Sequence, residues 1–412
     1  MTSDEAGPGA QTARPIDLRR GTNQVGMRLY NERLLLSLVR RHVSLSKADM
    51  ARQTGLSAQT ISVIVSRLEG DELLVRQRVQ RGRVGQPSVP YALNPDAVLS
   101  LGLKIGRRST DLVLVDFVGS VRARIHRTHD YPTPKRLLAF VREALSGMTR
   151  KLTREQRARI CGLGIATPFE LWSWESEVGA PQAAMQAWRD FDTASELSAL
   201  SEWPVQICND GTAACGAESL FGCHHGLRDF LYVFIGSFIG GGIVLGGNVV
   251  QGRSGNAGAI GSLPIARVDA RGQITAEQLI RIASLIVLER DLRDHGIDPS
   301  GLWASPDTWP DYGARLDAWV ERAAGGLAVL AASGMAIVDF EAIVIDGAFP
   351  STLRERLCNV TAQKLERLDL QGLTPARVLQ GSIGSDARAV GGAALPMLAN
   401  FARDRELLFR TA

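Results

Sequence analysis

Residues 46–68 of this 412-residue chain, SKADMARQTGLSAQTISVIVSRL, contain two short helical patterns separated by a tight turn. Ser46 can cap a helix, and the short helical pattern after it ends at Gly55, because a residue without a Cβ adopts the left-handed turn most readily. Ser57 can cap a second helix. That helix has apolar residues at i, i+3, i+4 and i+7, namely Ile61, Ile64, Val65 and Leu68. With the helical pattern over 25–42, this spacing predicts a helix-turn-helix.

The exposed face predicted for this last helix has no acidic residue. It begins with Ser57 and continues with Gln59, Thr60, Ser62, Val63, Ser66 and Arg67. Side chains that enter a major groove must reach the base edges without repelling the phosphates. We therefore expect this face to bind a double-stranded DNA operator.

A hairpin with a basic tip is predicted next. Alternating residues from Val75 to Val79 form one strand, and Val89, Tyr91 and Leu93 form the returning strand. The connection carries arginines that suit the narrow, electronegative minor groove: Arg78, Arg81 and Arg83. A solubilising loop is the alternative. We predict a winged helix-turn-helix domain over 25–93 and, before it, a flexible tail over 1–24 that has no hydrophobic period.

The distribution of charge agrees with this interpretation. Residues 1–90 carry 14 Lys and Arg against 8 Asp and Glu, a balance of +6, whereas the whole chain is only +4. A basic front part attached to a nearly neutral body is typical of a module that binds a polyanion, although a solvated basic surface is the simpler alternative.

The body of the chain shows two similar successions of strands and helices. Three short strands between residues 99 and 127 precede a helix and two further strands, the last of which ends at Asn209 and Asp210. A second succession begins near residue 231. This repetition predicts two α/β lobes that face a cleft. We place the first lobe at 97–218, with a C-terminal helix over 386–408 packing back onto it, and the second lobe at 219–385.

Several ordered segments of the body resemble the ROK family of repressors, open reading frames and sugar kinases. GSFIGGGIVLGGNVVQGRSGNAGAIGSLPI (236–265) is similar to the family's second phosphate motif and the sugar-binding segment after it. The likeness continues in ICNDGTAA (207–214), IVIDG (343–347) and GSIGSDARAVGGAA (381–394), and residues 21–41 resemble the start of the family's winged-helix regulators. The resemblance implies a two-lobed actin/hexokinase-like (ribonuclease H-like) ATPase fold and a homodimer or higher homo-oligomer.

The phosphate motifs depart from those of an active kinase. The resemblance makes Asp210 the counterpart of the catalytic carboxylate and Asn209 its hydroxyl-binding neighbour. However, the first phosphate motif, an Asp-x-Gly-Gly-Thr hairpin in the family, reads Lys-Ile-Gly-Arg-Arg at 104–108. Phe238 stands where the second motif has a glycine, and Asp346 adds a charge near the expected adenine. We therefore expect no ATP cofactor, no catalytic residue and no enzyme activity.

The sugar-binding and zinc motifs are also altered. The family's Gly-Glu-Ile-Gly-His signature reads Gly-Ala-Ile-Gly-Ser at 258–262, and Ile280 stands at the last sugar-binding glutamate. The family's cysteine-rich zinc segment has no counterpart between 263 and 285, and the five cysteines of the chain all lie elsewhere, which excludes that zinc site. The histidines at 126, 129, 224 and 225 show no ligand pattern, so we expect no metal.

The remaining polar and aromatic residues near the expected cleft are candidates for ligand binding. Asn209 and Asp210 are joined by Asn256 in the sugar segment and by Glu170, Trp172 and Trp174 in the loop after Pro168. Tryptophan faces stack on sugars, and Glu170 or Glu175 could replace a lost acceptor. A hydrophobic lid or a dimer contact without a ligand is the alternative for this loop.

Composition excludes other classes of protein. No run of 18 or more uncharged apolar residues occurs, so we expect no membrane span. The first residues lack the apolar core of a signal peptide, and an odd number of cysteines without a CxxC pair argues against a disulfide framework. We expect a cytoplasmic protein with reduced thiols.

These observations together predict a transcriptional repressor of carbohydrate-related genes. Its inactive sugar-kinase-like body would sense a small, sugar-like effector. Two alternatives stay open: a bifunctional sugar kinase with a DNA-binding domain, and a DNA-binding protein that needs no ligand.

Overall fold

The computed structural model describes residues 24–78, 89–168, 171–173, 180–224, 226–268, 272–305 and 308–402. The helices of this part are Gln24–His42, Lys47–Thr54, Ala58–Gly70, Pro134–Thr149, Arg154–Ala158, Gln182–Gln186, Thr193–Ser198, Asp210–Phe221, Ile280–Ala283, Leu285–Asp294, Gly301–Ala304, Gly313–Val338, Ser351–Leu365 and Ala387–Phe401. Short 3-10 turns lie at Leu171–Ser173, Ile260–Ser262 and Gly384–Asp386. The predicted tail over 1–24 lies almost wholly outside the described residues.

The first three helices form a small domain with a three-stranded antiparallel sheet. Ser57 caps the third helix, because its Oγ accepts a hydrogen bond from the backbone N–H of Thr60 at 3.1 Å. Gly55 ends the helix before it at φ 71°, in the left-handed region. The sheet order is Ser44–Ser46, Pro90–Leu93, Leu74–Arg76. The sequence pattern did not reveal the first of these strands, which has only three residues.

The body contains two five-stranded sheets that share one topology. In the first, the strand order is Val121–Thr128, Ser109–Asp116, Leu99–Ile105, Ile160–Thr167, Val205–Asn209. In the second, it is Asn248–Val250, Ile239–Leu245, Phe230–Ile235, Ala342–Gly347, Arg377–Gln380. Each sheet combines an antiparallel meander with two parallel strands. A separate hairpin joins Pro264–Val268 and Ile274–Gln278.

The C-terminal helix Ala387–Phe401 returns to the first sheet. It lies so close that a Cβ on Gly164 would be 1.9 Å from the carbonyl oxygen of Gly392. The same helix supports the N-terminal domain, because Arg33 Nη1 donates to the carbonyl of Ala402 at 3.0 Å. The start and the end of the described chain are therefore in contact.

A second contact joins the N-terminal domain to the first lobe. The Arg40 guanidinium lies 4.8 Å from the ring centre of Phe117 and 5.4 Å from that of Phe221, the last residue of the helix Asp210–Phe221. The opposite end of this helix carries Asp210. One rigid helix therefore extends from the cleft between the lobes to the base of the N-terminal domain.

Among the described helices, Gly313–Val338 has the length and composition of a membrane-spanning segment. In this fold it is a core helix of the second lobe. Its buried side chains, among them Trp319, Leu327 and Leu330, pack with the strands and helices of the second sheet.

Candidate nucleic-acid interface and interlobe cleft

The third helix exposes the face expected from the sequence. Ile61 and Val65 on its inner side have no exposed surface, whereas Val63 on its outer side is 65% exposed. Ser57, Gln59, Ser66 and Arg67 are exposed, and Thr60 and Ser62 are half-buried. The outer side therefore presents hydroxyl, amide and methyl groups to solvent.

The acidic residues near this helix are paired with cations. Glu69 accepts two hydrogen bonds from Arg76, at 2.5 and 3.0 Å, and Glu32 lies 3.4 Å from Arg67 Nε. Asp71 also lies 3.8 Å from Arg67 Nε. Arg67 is thus held at the C-terminal end of the helix by two carboxylates, which the sequence pattern did not indicate.

A basic residue that the sequence analysis missed borders the exposed face. Lys47, the first residue of the preceding helix, donates from Nζ to Ser62 Oγ at 3.1 Å. The N-cap Ser46 placed Lys47 in the first turn of its helix, but nothing in the sequence indicated its contact with Ser62.

The basic hairpin is described only in part. Arg78 is exposed at the end of the strand segment. Arg81 and Arg83 fall within 79–88, outside the described residues, so their part in DNA contact stays a prediction.

A cavity of about 200 Å³ lies between the two lobes. It brings together three of the predicted ligand-binding residues, Asn209, Asp210 and Asn256. Asn209 also caps the helix after it, because its Oδ1 accepts the N–H of Gly211 at 2.9 Å. The carboxylate of Asp210 is therefore not needed as the cap and faces the cavity.

The carboxylate of Asp210 forms an ion pair with Arg388. Its Nη1 lies 3.3 Å from Asp210 Oδ2, and its guanidinium stacks 4.8 Å from the ring centre of Phe234. Both charged side chains are largely buried, at 11% and 17% exposure for Arg388 and Asp210. Arg388 was not among the expected site residues, although it is the single arginine in the small-residue segment ARAVGGAA.

Cationic and aromatic side chains fill the region that corresponds to the phosphate motifs. Lys104 donates from Nζ to Asp111 Oδ2 and to Ser109 Oγ, both at 2.8 Å. Burial lowers the pKa of Lys104, and the nearby charge of Arg388 adds to this effect. Burial opposes ionisation of Asp111, but the charge and hydrogen bond of Lys104 outweigh it and lower the pKa of Asp111 to about 2.

Arg107 and Phe238 form a stacked pair beside the same cavity. The Arg107 guanidinium lies 4.0 Å from the ring centre of Phe238, and both residues are 8% exposed. In the sequence, the two residues were only separate departures from the two phosphate motifs. The structure shows that they are in contact with each other across the cleft.

The expectation for Asp346 needs correction. Rather than adding a charge near an adenine, Asp346 is completely buried and forms an ion pair with Arg354. Its carboxylate also accepts hydrogen bonds from Tyr232 Oη and from the N–H groups of Gly347 and Gly384, at 2.8–3.0 Å. Asp346 therefore stabilises the end of the strand Ala342–Gly347 through buried hydrogen bonds.

The tryptophan loop contributes less than expected to the described cavity. Trp172 packs against the core of the first lobe and is absent from the lining of the cavity. Glu170, Trp174 and Glu175 lie outside the described residues, so their role stays a prediction. The altered sugar signature does line the cavity, through Ala259, Ser262 and Ile280.

Comparison with known proteins shows what the body is similar to. Residues 100–280 match the model of the ROK family. The chain is 24% identical over 243 residues to the xylose repressor of Bacillus subtilis, covering 59% of this chain and 62% of the repressor. It is 31% identical over 248 residues to the bifunctional enzyme NanE/NanK of Brucella suis, covering 59% of this chain and 43% of the enzyme. The chain thus matches less than two thirds of either relative.

A solved structure supports the architecture over a longer range. A ROK family transcriptional regulator, described as a homologue of the Escherichia coli MLC protein, superposes with a TM-score of 0.59 and 17% identity. The superposition covers 92% of this chain and 99% of that structure, and at this identity it shows the fold alone. Residues 100–280 thus match the model of a ROK family domain, and the two-lobed body shares the fold of this regulator.

Proposed function

We propose that this protein is a DNA-binding transcriptional repressor of carbohydrate-related genes, whose ROK body senses a small, sugar-like ligand and transfers no phosphate. The observation that carries the proposal is the exposed face of the helix Ala58–Gly70. It presents Gln59 and Val63 to solvent with no acidic side chain among them.

The chemistry of this face suits base edges. The amide of Gln59 can donate to and accept from one adenine, and the methyl groups of Val63 can contact a thymine methyl group. Lys47, which is hydrogen-bonded to Ser62 beside this face, provides a cation for a backbone phosphate. A homodimer, as the family resemblance implies, would place two such helices on a near-palindromic operator.

The cleft supports ligand sensing better than phosphoryl transfer. A catalytic carboxylate must be available to accept a proton from the sugar hydroxyl, and phosphates must approach bare backbone amides. Here Arg388 is bonded to Asp210, and the stacked Arg107 and Phe238 occupy the region of the phosphate motifs. Asn209, Asn256 and Ser262 leave polar groups for a ligand with few hydroxyls.

The helix Asp210–Phe221 offers a physical connection between ligand and DNA. A ligand that engages Asp210 acts on the first turn of this helix, and Phe221 at its other end supports Arg40 of the N-terminal domain. The ligand can change DNA affinity only if it binds two arrangements of the lobes with different affinity. Such a regulator would act in the cytoplasm.

The direct test is selection of duplexes from a randomised pool by the full-length protein, at a fixed, low salt concentration. The proposal expects enrichment of one near-palindromic sequence. If successive rounds enrich no sequence over the starting pool, the protein is not a sequence-specific regulator.

A bifunctional sugar kinase is the second candidate, favoured by the retained pair Asn209–Asp210 and by the likeness to NanE/NanK. Steady-state release of ADP in the presence of ATP, Mg²⁺ and hexoses or amino sugars would support it. A ligand-independent DNA-binding protein would instead bind its operator normally and show no change in Tm with a broad panel of sugars.

A further inference from the structure

Three potential metal ligands converge at the end of the helix Asp210–Phe221. A carboxylate oxygen of Glu218, the Sγ of Cys223 and a ring nitrogen of His224 all lie within 4.8 Å of one another. The sequence pattern gave no ligand set for His224, and only the folded chain places it beside two other potential ligands. The pattern Glu-x-x-x-x-Cys-His does not match common zinc-site spacings, and only the turn after the helix brings the three groups together.

The backbone at Gly222 produces this convergence. A Cβ at this position would lie 2.3 Å from Glu218 Oε1, so the chain passes directly over the carboxylate. Ser382 of the second lobe forms hydrogen bonds with two residues of the cluster. Its N–H donates to Glu218 Oε2 at 3.0 Å, and its Oγ accepts the N–H of Cys223 at 3.0 Å. The cluster therefore links residues 218–224, which we call the connector between the lobes, to Ser382 of the second lobe.

The orientation of His224 leaves one nitrogen for a metal. Its Nε2 lies 2.7 Å from the carbonyl oxygen of Gln380, which can only accept, so Nε2 carries the proton. In the neutral imidazole Nδ1 is then the nitrogen with a free lone pair. A second-sphere bond of this kind to a backbone carbonyl is the usual way in which a metal-bound histidine is oriented.

Glu218 is a buried carboxylate that has no ion-pair partner among the described residues. Glu218 is 4% exposed, and its described hydrogen-bond donors are the N–H and Oγ of Ser382. None of the ion pairs within the described part of the chain includes this carboxylate, in contrast to buried Asp346 with its partner Arg354. A buried carboxylate without a cation is unfavourable, and a bound divalent ion would remove that cost.

We propose that Glu218, Cys223 and His224 bind a zinc-type divalent transition metal at the connector between the lobes. Sulfur, nitrogen and oxygen donors together suit Zn²⁺ or Co²⁺, whereas Mg²⁺ and Ca²⁺ need oxygen ligands. Three protein donors leave a fourth tetrahedral position, and the exposed Cys223 places it at the solvent side. The site is separate from the family's zinc segment, whose counterpart here, 263–285, contains neither Cys nor His.

The test uses tag-free, full-length protein that has been stripped with a chelator and then titrated with Zn²⁺ against a chromophoric competitor. We expect one equivalent to bind. Co²⁺ should bind at the same site and give a thiolate-to-metal charge-transfer band in the near ultraviolet. Because exposed Cys223 and half-buried His224 have little packing to lose, Cys223→Ser and His224→Gln should keep the wild-type circular dichroism spectrum.

Substitutions of Cys223 and His224 test whether these residues are the metal ligands. Cys223→Ser should abolish the charge-transfer band, and His224→Gln should weaken Zn²⁺ binding by about 10-fold or more. Cys161→Ser and His295→Gln, which alter the same residue types elsewhere, should bind as wild type does. The assignment is overturned if the folded wild type takes up no equivalent at micromolar Zn²⁺, or if Cys223→Ser retains the band and the affinity.

Discussion

The substitution Val63→Glu examines the proposed DNA-binding face at one exposed position. Val63 is 65% exposed, so its replacement removes little buried surface. Glutamate also has a higher helix propensity than valine, and the helix should remain intact. The variant therefore introduces a negative charge into an acid-free face without a cost to folding.

The size of the effect follows from the distance to the phosphates. A carboxylate about 5 Å from one phosphate is repelled by about 1 kcal/mol at the dielectric constant of water and about 3 kcal/mol at an effective value near 20. This range corresponds to a rise in Kd of roughly 5- to 150-fold for each helix that lies in a major groove. Loss of the valine methyl contact would add to it.

The assay is fluorescence anisotropy with the selected duplex at constant, low ionic strength, because salt screens the repulsion. The matched control is Ile337→Glu, the same kind of change at an 81% exposed position in the second lobe. The control should bind as wild type does, and both variants should keep the wild-type oligomeric state and Tm. An unchanged Kd for Val63→Glu would refute the placement of this face in the groove.

Three further predictions concern other parts of the molecule. Arg354→Met leaves the fully buried Asp346 without its cation and should lower the free energy of unfolding by about 3–5 kcal/mol in urea titrations. The double variant with Asp346→Asn should recover part of that loss. A loss below about 1 kcal/mol for the single variant would show that the ion pair does not stabilise the fold. Burial, with the charge of Lys104, lowers the pKa of His129 to about 4. The imidazole of the unfolded chain binds a proton near pH 6.5 and that of the folded protein does not, so the free energy of unfolding should fall as the pH drops from 6.5 to 4. His129→Gln should make this fall smaller. Arg81→Ala and Arg83→Ala should each reduce the slope of log K against log salt by about 0.9 if each arginine contacts one phosphate; a slope equal to that of wild type would remove the hairpin tip from the interface.

The elements that local patterns define could be predicted from the sequence. Ser57, Gly55 and the buried stripe through Ile61 are local signals, since caps, left-handed turns and helical periodicity act over a few residues. The repetition of meander and helices likewise indicated the two lobes. The short strand Ser44–Ser46 was missed because three residues are too few to show a period of two.

The contacts that decide the chemistry of the cleft could not be predicted in this way. Asp210 and Arg388 lie 178 positions apart, and only the return of the C-terminal helix to the first lobe brings them together. The sequence showed a charge at Asp346 but not its burial, which depends on Arg354 and on the close approach of Gly381. The turn at Gly222 is likewise a property of the folded backbone.

The proposed function depends on base-specific recognition by the helix Ala58–Gly70, and a repeated duplex selection with Gln59→Ala tests that recognition. Gln59 is exposed near the start of the helix, so its removal should leave the fold and the general affinity for DNA in place. We expect the enriched sequence to lose its preference at one position of each half-site and to keep the others. If the variant selects the same sequence with the same preference at every position, this side chain does not contact a base and the recognition face has been placed wrongly.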